Sequence, residues 1–117
     1  MSTTQRYSFA QRLKKMASKQ VTGREACLEE AARIIAGDRD KQYGGPEDNF
    51  TRIAKIWSVI LGIEITTEDV AMMMVGVKVA RYANKSGFQP DTWIDIAGYG
   101  ACGYEVGEKL TQSSQNT

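Results

Sequence analysis

A chain of 117 residues, 42% hydrophobic and 25% charged, is long enough for one domain around one modest core. The absence of any histidine excludes a His-based catalytic triad and a Cys/His zinc site, so a metal here would need carboxylates and would be of the magnesium or manganese kind. No apolar run reaches the roughly 18 residues of a membrane span, and the basic N-terminus lacks the apolar stretch of a secretory signal. The expected setting is therefore the cytoplasm, where Cys27 and Cys102 fit small buried thiols better than a disulfide.

The formal charge of +1 hides an asymmetry. Residues 1–24 carry Arg6, Arg12, Lys14, Lys15, Lys19 and Arg24 and no acid, leaving nine basic against fourteen acidic residues in the remainder. A basic arm can attract nucleic acid or an acidic partner, or simply be a solvated helix face. Residues 8–20 read as a helix with Phe9, Leu13 and Met16 on one side, a stripe suited to this subunit or to a neighbour. The organisation expected is a basic N-terminal helix or arm over 1–22, a helical domain over 23–111 and a disordered polar tail over 112–117.

Thr22 and Glu25 have capping-box spacing, so the next helix starts there, with Leu28, Ala31 and Ile35 as its apolar face and Glu29–Arg33 as an i,i+4 pair. It ends between Gly37 and Tyr43. Asp38 to Phe50 then forms the stretch on which the chain turns: Gly44 and Gly45 permit close approach, Pro46 suits the first helical position, and Glu47 and Asp48 complement the helix dipole. This corner is either structural, with Tyr43 and Phe50 in the core, or a small-molecule site lined by Arg39, Lys41, Tyr43 and Asn49.

The helix from Pro46 to Leu61 is apolar enough to be covered on more than one side, and Gly62 ends it. Ile63-Glu64-Ile65 reads as a connector packed as a hydrophobic bridge. Thr66 and Asp69 form a second capping box. The run Val70 to Val77 that follows has no polar face, which predicts a central, enclosed helix. Lys78 and Arg81 lie in that helix and would need partners if enclosed. Ser86 to Pro90 breaks it, and Asp91 reads as the N-cap of the last helix. That helix is dense in small residues (Gly98, Gly100, Ala101, Gly103, Gly107), a face for close helix approach inside the core or across a two-fold axis of a homo-oligomer. Antiparallel packing would bring Lys78 and Arg81 to Asp91 and Asp95. The cluster is then either an ion-pair network or a charged pocket in which Asp95 serves a metal or a ribose and the cations meet phosphate. With no alternating strand pattern, the fold class expected is all-α, a bundle of four to five helices.

Asp38-Arg39, Tyr43-Gly44-Gly45-Pro46-Glu47-Asp48-Asn49-Phe50, Ile53-Ala54, Trp57, Glu68-Asp69-Val70-Ala71, Met74, Lys78, Ala80-Arg81, Asp91 and Asp95-Ile96-Ala97-Gly98-Tyr99 resemble a family of small phage-encoded domains of unknown function. The resemblance covers about residues 28–106. That family is similar in turn to all-α phage domains associated with nucleotide modification, which share the Tyr-Gly corner. It is similar more distantly to all-α nucleoside triphosphate pyrophosphohydrolases.

These resemblances imply a phage or prophage source and a nucleotide-related role. One reading is a module that binds a nucleotide or nucleotide-derived ligand through Arg39, Lys41, Tyr43, Gly44, Gly45, Asn49, Lys78, Arg81 and Asp95, in nucleotide modification or counter-defence, with no cofactor. Another is a magnesium-dependent pyrophosphohydrolase using Glu29, Glu30, Asp38, Asp91 and Asp95. Here Arg33 stands where the first Glu-x-x-Glu pair needs an acid, and Asp91 and Asp95 depart from the second pair's spacing. A third reading is a phage inhibitor that docks on a host protein through the basic first helix.

Overall fold

The structure, a computed structural model, describes residues 22–37 and 45–115 together with Ser8. The expected helix over 8–20, and Asp38 to Gly44 of the corner, lie outside the described residues. Four helices make up the described fold: α1 (Gly23–Ala36), α2 (Pro46–Leu61), α3 (Thr67–Ala83) and α4 (Pro90–Gln115). Among the described residues there is no strand, in agreement with an all-α fold.

The helix ends follow local chemistry. Gly45 precedes Pro46, which opens α2 with its preset φ, and the Asn49 N–H donates to the Gly45 carbonyl at 3.2 Å. Gly62 closes α2 at φ 70°, donating its N–H to the Ser58 carbonyl at 2.9 Å, a left-handed cap that suits a residue without Cβ. The Thr66 box forms in full: the Asp69 N–H donates to Thr66 Oγ1 at 3.1 Å, and the Thr66 N–H donates to Asp69 Oδ2 at 2.9 Å. Between these ends, Ile65 donates its N–H to Ser58 Oγ at 2.8 Å and packs on the core, whereas Ile63 is exposed. Half of the expected bridge is therefore in place.

Three starts and ends differ from expectation. Thr22 is the N-cap of α1 but makes no side-chain cap bond, because Gly23 enters the helix at φ 66° and the hydroxyl is not set over the third amide. The helix-forming Pro90 begins α4 one residue before Asp91, which leaves Asp91 in the first turn instead of at the cap. At the far end α4 continues through Gln115 and takes in residues 112–115 of the expected disordered tail.

α3 and α4 make the most extensive contact of the fold, and they run antiparallel. Ala71 faces Gly103, Glu68 faces Gly107, and Lys78 meets Asp95, so residue numbers across the pair sum to nearly the same value. A methyl group at Gly103 would sit 3.1 Å from the Ala71 Cβ, closer than side chains normally pack. The backbones approach because glycine is there. α1 lies on α4, where Ile35 Cγ2 would be 3.6 Å from a methyl at Gly98. α2 lies across α3 and touches α4, with Phe50 stacked on Tyr99 at a ring separation of 6.4 Å.

The core is small: Phe50, Ala54, Val70, Ala71 and Val106 form one buried cluster, flanked by Ile53, Trp57, Ile65, Met74, Tyr99 and Cys102. Neither cysteine is in a disulfide, and both are half-buried. In α1, Ala31 is buried but Leu28 is 62% exposed, because the predicted stripe is wider than the one helix beneath it. The Arg33 partner is Glu30, three residues away, rather than Glu29. Arg33 Nε donates to Glu30 Oε2 at 2.9 Å, and this bond holds the exposed Glu30 carboxyl below its ordinary pKa. Such an acid favours the fold above its unfolded-state pKa and loses that effect as pH falls through the folded value. Solvent access to the pair keeps the contribution small.

The larger departure concerns enclosure. Only Val70 and Ala71 of α3 are buried, while Met72 is 71% and Val79 53% exposed. Val59 and Ile60 of α2 are also open to solvent. An α3 walled on all sides, and an α2 covered on more than one, are thus corrected: α2 and α4 reach α3 from one half of its circumference.

The glycine at the α3–α4 crossing gives a direct test. Gly103→Val should destabilise by about 1–3 kcal/mol through overpacking against Ala71, read as a lower urea midpoint with unchanged slope.

Candidate functional site

The described polar site grows from the α3–α4 contact. One turn of α3 separates Met74, packed on the core, from Lys78, and one turn of α4 separates Tyr99 from Asp95. Antiparallel pairing then sets Lys78 Nζ 3.1 Å from Asp95 Oδ2. The Lys78 side chain is 15% exposed and that of Asp95 30% exposed, so the pair sits at the edge of the core, partly sheltered from water. A cation here needs its acid, because an unpaired, partly desolvated ammonium is costly.

Other groups converge on the same side. At about 100° per residue, Arg81 continues the row of Val70, Met74 and Val77 along the side of α3 that meets α2, and it is exposed. Tyr99 lies directly along α4 from Asp95 and stacks on Phe50, which ties the pair to the first turn of α2. That turn holds Gly45 and Asn49, both half-buried. In the loop before α4, Gln89 Oε1 accepts from Thr92 Oγ1 at 3.2 Å, while its Nε2 is buried with no partner among the described residues. At this end of the hairpin Tyr82 and Trp93 meet edge to face at 5.9 Å.

Of the ligand-binding residues expected from sequence, Lys78 and Asp95 are therefore joined, with Arg81 on the α2-facing side of the same helix. Gly45 and Asn49 connect to them through Phe50 and Tyr99. Arg39, Lys41, Tyr43 and Gly44 lie outside the described residues. Gln89 and the Tyr82–Trp93 pair were missed in the sequence. Tyr82 stands one turn past Lys78 and Trp93 two residues before Asp95, a signal legible only once the hairpin register is known.

The carboxylates expected for magnesium do not fit a metal site by themselves. Among the described residues no three acids or cysteines come together as ligands. Glu30 is taken by Arg33, Asp95 by Lys78, and Asp91 is exposed; Asp38 lies outside the described residues. A separate open groove of about 350 Å³ lies between the start of α2, the start of α3 and the end of α4, lined by Thr51, Thr67, Val106, Lys109 and Leu110. It contains none of the expected site residues that the structure describes.

No described helix is long and apolar enough to cross a membrane. The chain belongs to the family described as a domain of unknown function, DUF6378, whose pattern matches residues 26–107. It is similar to the gene 55 protein of Mycobacterium phage D29, 45% identical over 78 residues that make up 67% of this chain and 51% of that protein. It is also similar to the gene 55 protein of Mycobacterium phage L5, 45% identical over 73 residues, 62% of this chain and 46% of that protein. The chain spans about half the length of these relatives. No solved structure matches it with significance. These matches agree with the resemblance to small phage domains, and nearly with its span; they do not extend to nucleotide-modification domains.

The ion pair can be weighed directly. A double-mutant cycle of Lys78→Met and Asp95→Asn should return a coupling of about 1 kcal/mol, with the single Asp95→Asn change costing more than the double.

Proposed function

We propose that the chain is a phage-encoded module that binds a nucleotide or a nucleotide-derived anion, without turnover, at the α2-facing side of the α3–α4 hairpin. The observation that carries this reading is the half-buried Lys78–Asp95 pair with the exposed Arg81 close by along α3. An exposed guanidinium offers a bidentate grip on phosphate. Asp95 has acceptor capacity left after Lys78 and can take a sugar hydroxyl. Gly45 leaves the start of α2 without a side chain, and Arg39, Lys41, Tyr43 and Gly44, from the stretch just before it, would add cations and an aromatic face for a base.

Binding is favoured over hydrolysis because, among the described residues, Glu30 and Asp95 are engaged by cations and no three acids come together. In-line attack on a triphosphate with two metal ions needs several acids on one small volume. A role in nucleotide modification or counter-defence would follow from capture of such a ligand. An inhibitor docking on a host factor through the basic residues 1–22 is the second reading, favoured by the charge asymmetry of the chain.

The test is a thermal-shift and calorimetry screen of canonical, cyclic and modified nucleotides, with and without Mg²⁺. A ligand at 100 times its Kd adds about 2.7 kcal/mol and a shift of several degrees. Arg81→Ala should weaken binding about tenfold or more without lowering the melting temperature of the free protein. A shift that needs Mg²⁺ and yields pyrophosphate would favour the hydrolase, and ligand affinity unchanged by Arg81→Ala would reject the assigned site.

A further inference from the structure

The connection between α3 and α4 runs over residues 84–89, with no leucine, isoleucine, valine or methionine among them. It is short and tied at both ends. The Asn84 and Lys85 N–H groups donate to the Arg81 and Tyr82 carbonyls, each at 3.2 Å, and extend the last turn of α3. On the α4 side the Thr92 N–H donates to the Gln89 carbonyl and Thr92 Oγ1 to Gln89 Oε1, both at 3.2 Å. Between these anchors Gly87 takes φ 82°, the left-handed region that a residue without Cβ enters freely. The loop that results holds Phe88 out in water, 81% exposed.

Phe88 is not alone at this end. Tyr82, in the last turn of α3, and Trp93, in the first turn of α4, meet edge to face at 5.9 Å and are 46% and 49% exposed. An edge-to-face pair covers one ring face, whereas a stacked pair covers two. Three rings with open faces therefore fall between residues 82 and 93. Two cations accompany them. Arg81, on the side toward α2, and Lys85, past the helix end, are exposed, and neither is paired with an acid among the described residues. Asp91 is the one acid between residues 81 and 93.

We infer that this end of the hairpin binds a single strand of nucleic acid, with bases on the rings and phosphates on Lys85 and Arg81. Every base has a π-face that an aromatic ring can cover, so stacking holds a strand with little regard to its sequence. The cations meet the phosphodiesters and give the binding its dependence on salt. An apolar protein partner would call for aliphatic side chains, and the loop has none. The surface goes beyond the mononucleotide site proposed above and shares only Arg81 with it. Arg81 and Tyr82 point about 100° apart around α3, so phosphate on the one and base on the other suit successive parts of a strand that crosses the helix end.

The test is fluorescence anisotropy of the full chain with a labelled oligothymidylate of about twelve nucleotides, an oligouridylate of that length and a duplex of that length. The six cations of residues 1–24 could hold any nucleic acid by charge alone, so the deciding variants change a ring and not a charge. Phe88→Ala and Phe88→Leu should each weaken single-strand binding by about fivefold or more, and Phe88→Trp should keep it, with circular dichroism showing the helices intact in all three. Lys85→Gln should reduce the slope of log K against log salt by about 0.7. The tighter of the two single strands identifies the sugar. No single-strand binding at low salt, a duplex bound as tightly as both strands, or wild-type affinity in Phe88→Leu would overturn the inference. Mononucleotide affinity, measured alongside, separates the two readings: if it persists while the strand fails, this inference falls alone, and if only the strand binds, the mononucleotide site falls alone.

Discussion

The contact on which the rest of the structure depends is the close antiparallel approach of α3 and α4 at Ala71 and Gly103. Two helices separated by leucine or isoleucine side chains would stand farther apart, and each would bury its own thick stripe. Here the backbones come close through an alanine and a glycine, and the register this sets fixes everything at either end. It puts Lys78 on Asp95 and Tyr82 on Trp93 toward the loop, and Glu68 over Gly107 at the other end. It also sets Tyr99 where Phe50 of α2 can stack on it. A tight pair gives a thin core, and thinness has a consequence: few large side chains are fully enclosed.

That thinness explains why the polar site is where it is. Lys78 lies on the α3 face that would be central in a thicker bundle, and its alkyl stem continues the packed row begun by Val70 and Met74. Its ammonium emerges at the edge of the core, where Asp95 meets it, and water reaches both. A deeper pair would be locked by desolvation; a fully exposed one would be screened. At the rim the pair keeps its register-setting role and leaves carboxylate and cation accessible, with Arg81 free of the packing that fixes Lys78.

Much of this was legible in the sequence. Local signals decided the helix ends at Thr66–Asp69, Gly62 and Pro46, because each depends on groups within four residues of one another. The all-α bundle of four to five helices, the core position of Phe50 in the structural reading of the corner, the burial of Val70, and the meeting of Lys78 with Asp95 under antiparallel packing also follow from spacing. Errors arose where geometry is not local. Asp91 had the right chemistry for a cap, yet Pro90 has a φ already suited to the first turn and started the helix earlier. Thr22 had the right spacing, but the left-handed Gly23 turned its hydroxyl away. Leu28 belongs to a stripe broader than the one helix that covers it. In each case the residue type was read correctly, and the deciding factor was a neighbour's backbone or the number of elements packed against it. Tyr82, Trp93 and Gln89 carried no sequence signal of their own, because only the register of the hairpin sets Tyr82 on Trp93 and places Gln89 at the same end.

The apolar run from Val70 to Val77 raises the sharper point. It was read as central because it has no polar face, and the single chain buries only part of it. Hydrophobic periodicity reports how many sides of a helix are meant to leave water, not which molecule covers them. The same holds for the small residues of α4. Three of its glycines are accounted for by packing within the chain, whereas Gly100 and, on α3, Gly76 are not. An exposed helix gains solubility and stability when glycine is replaced by a charged or alanyl residue, so two bare positions side by side, among exposed methionine, tryptophan and tyrosine, are unfavourable for a lone domain of this size. The enclosure that the apolar run implies for α3 is met within the chain on one half of its circumference only, by α2 and α4.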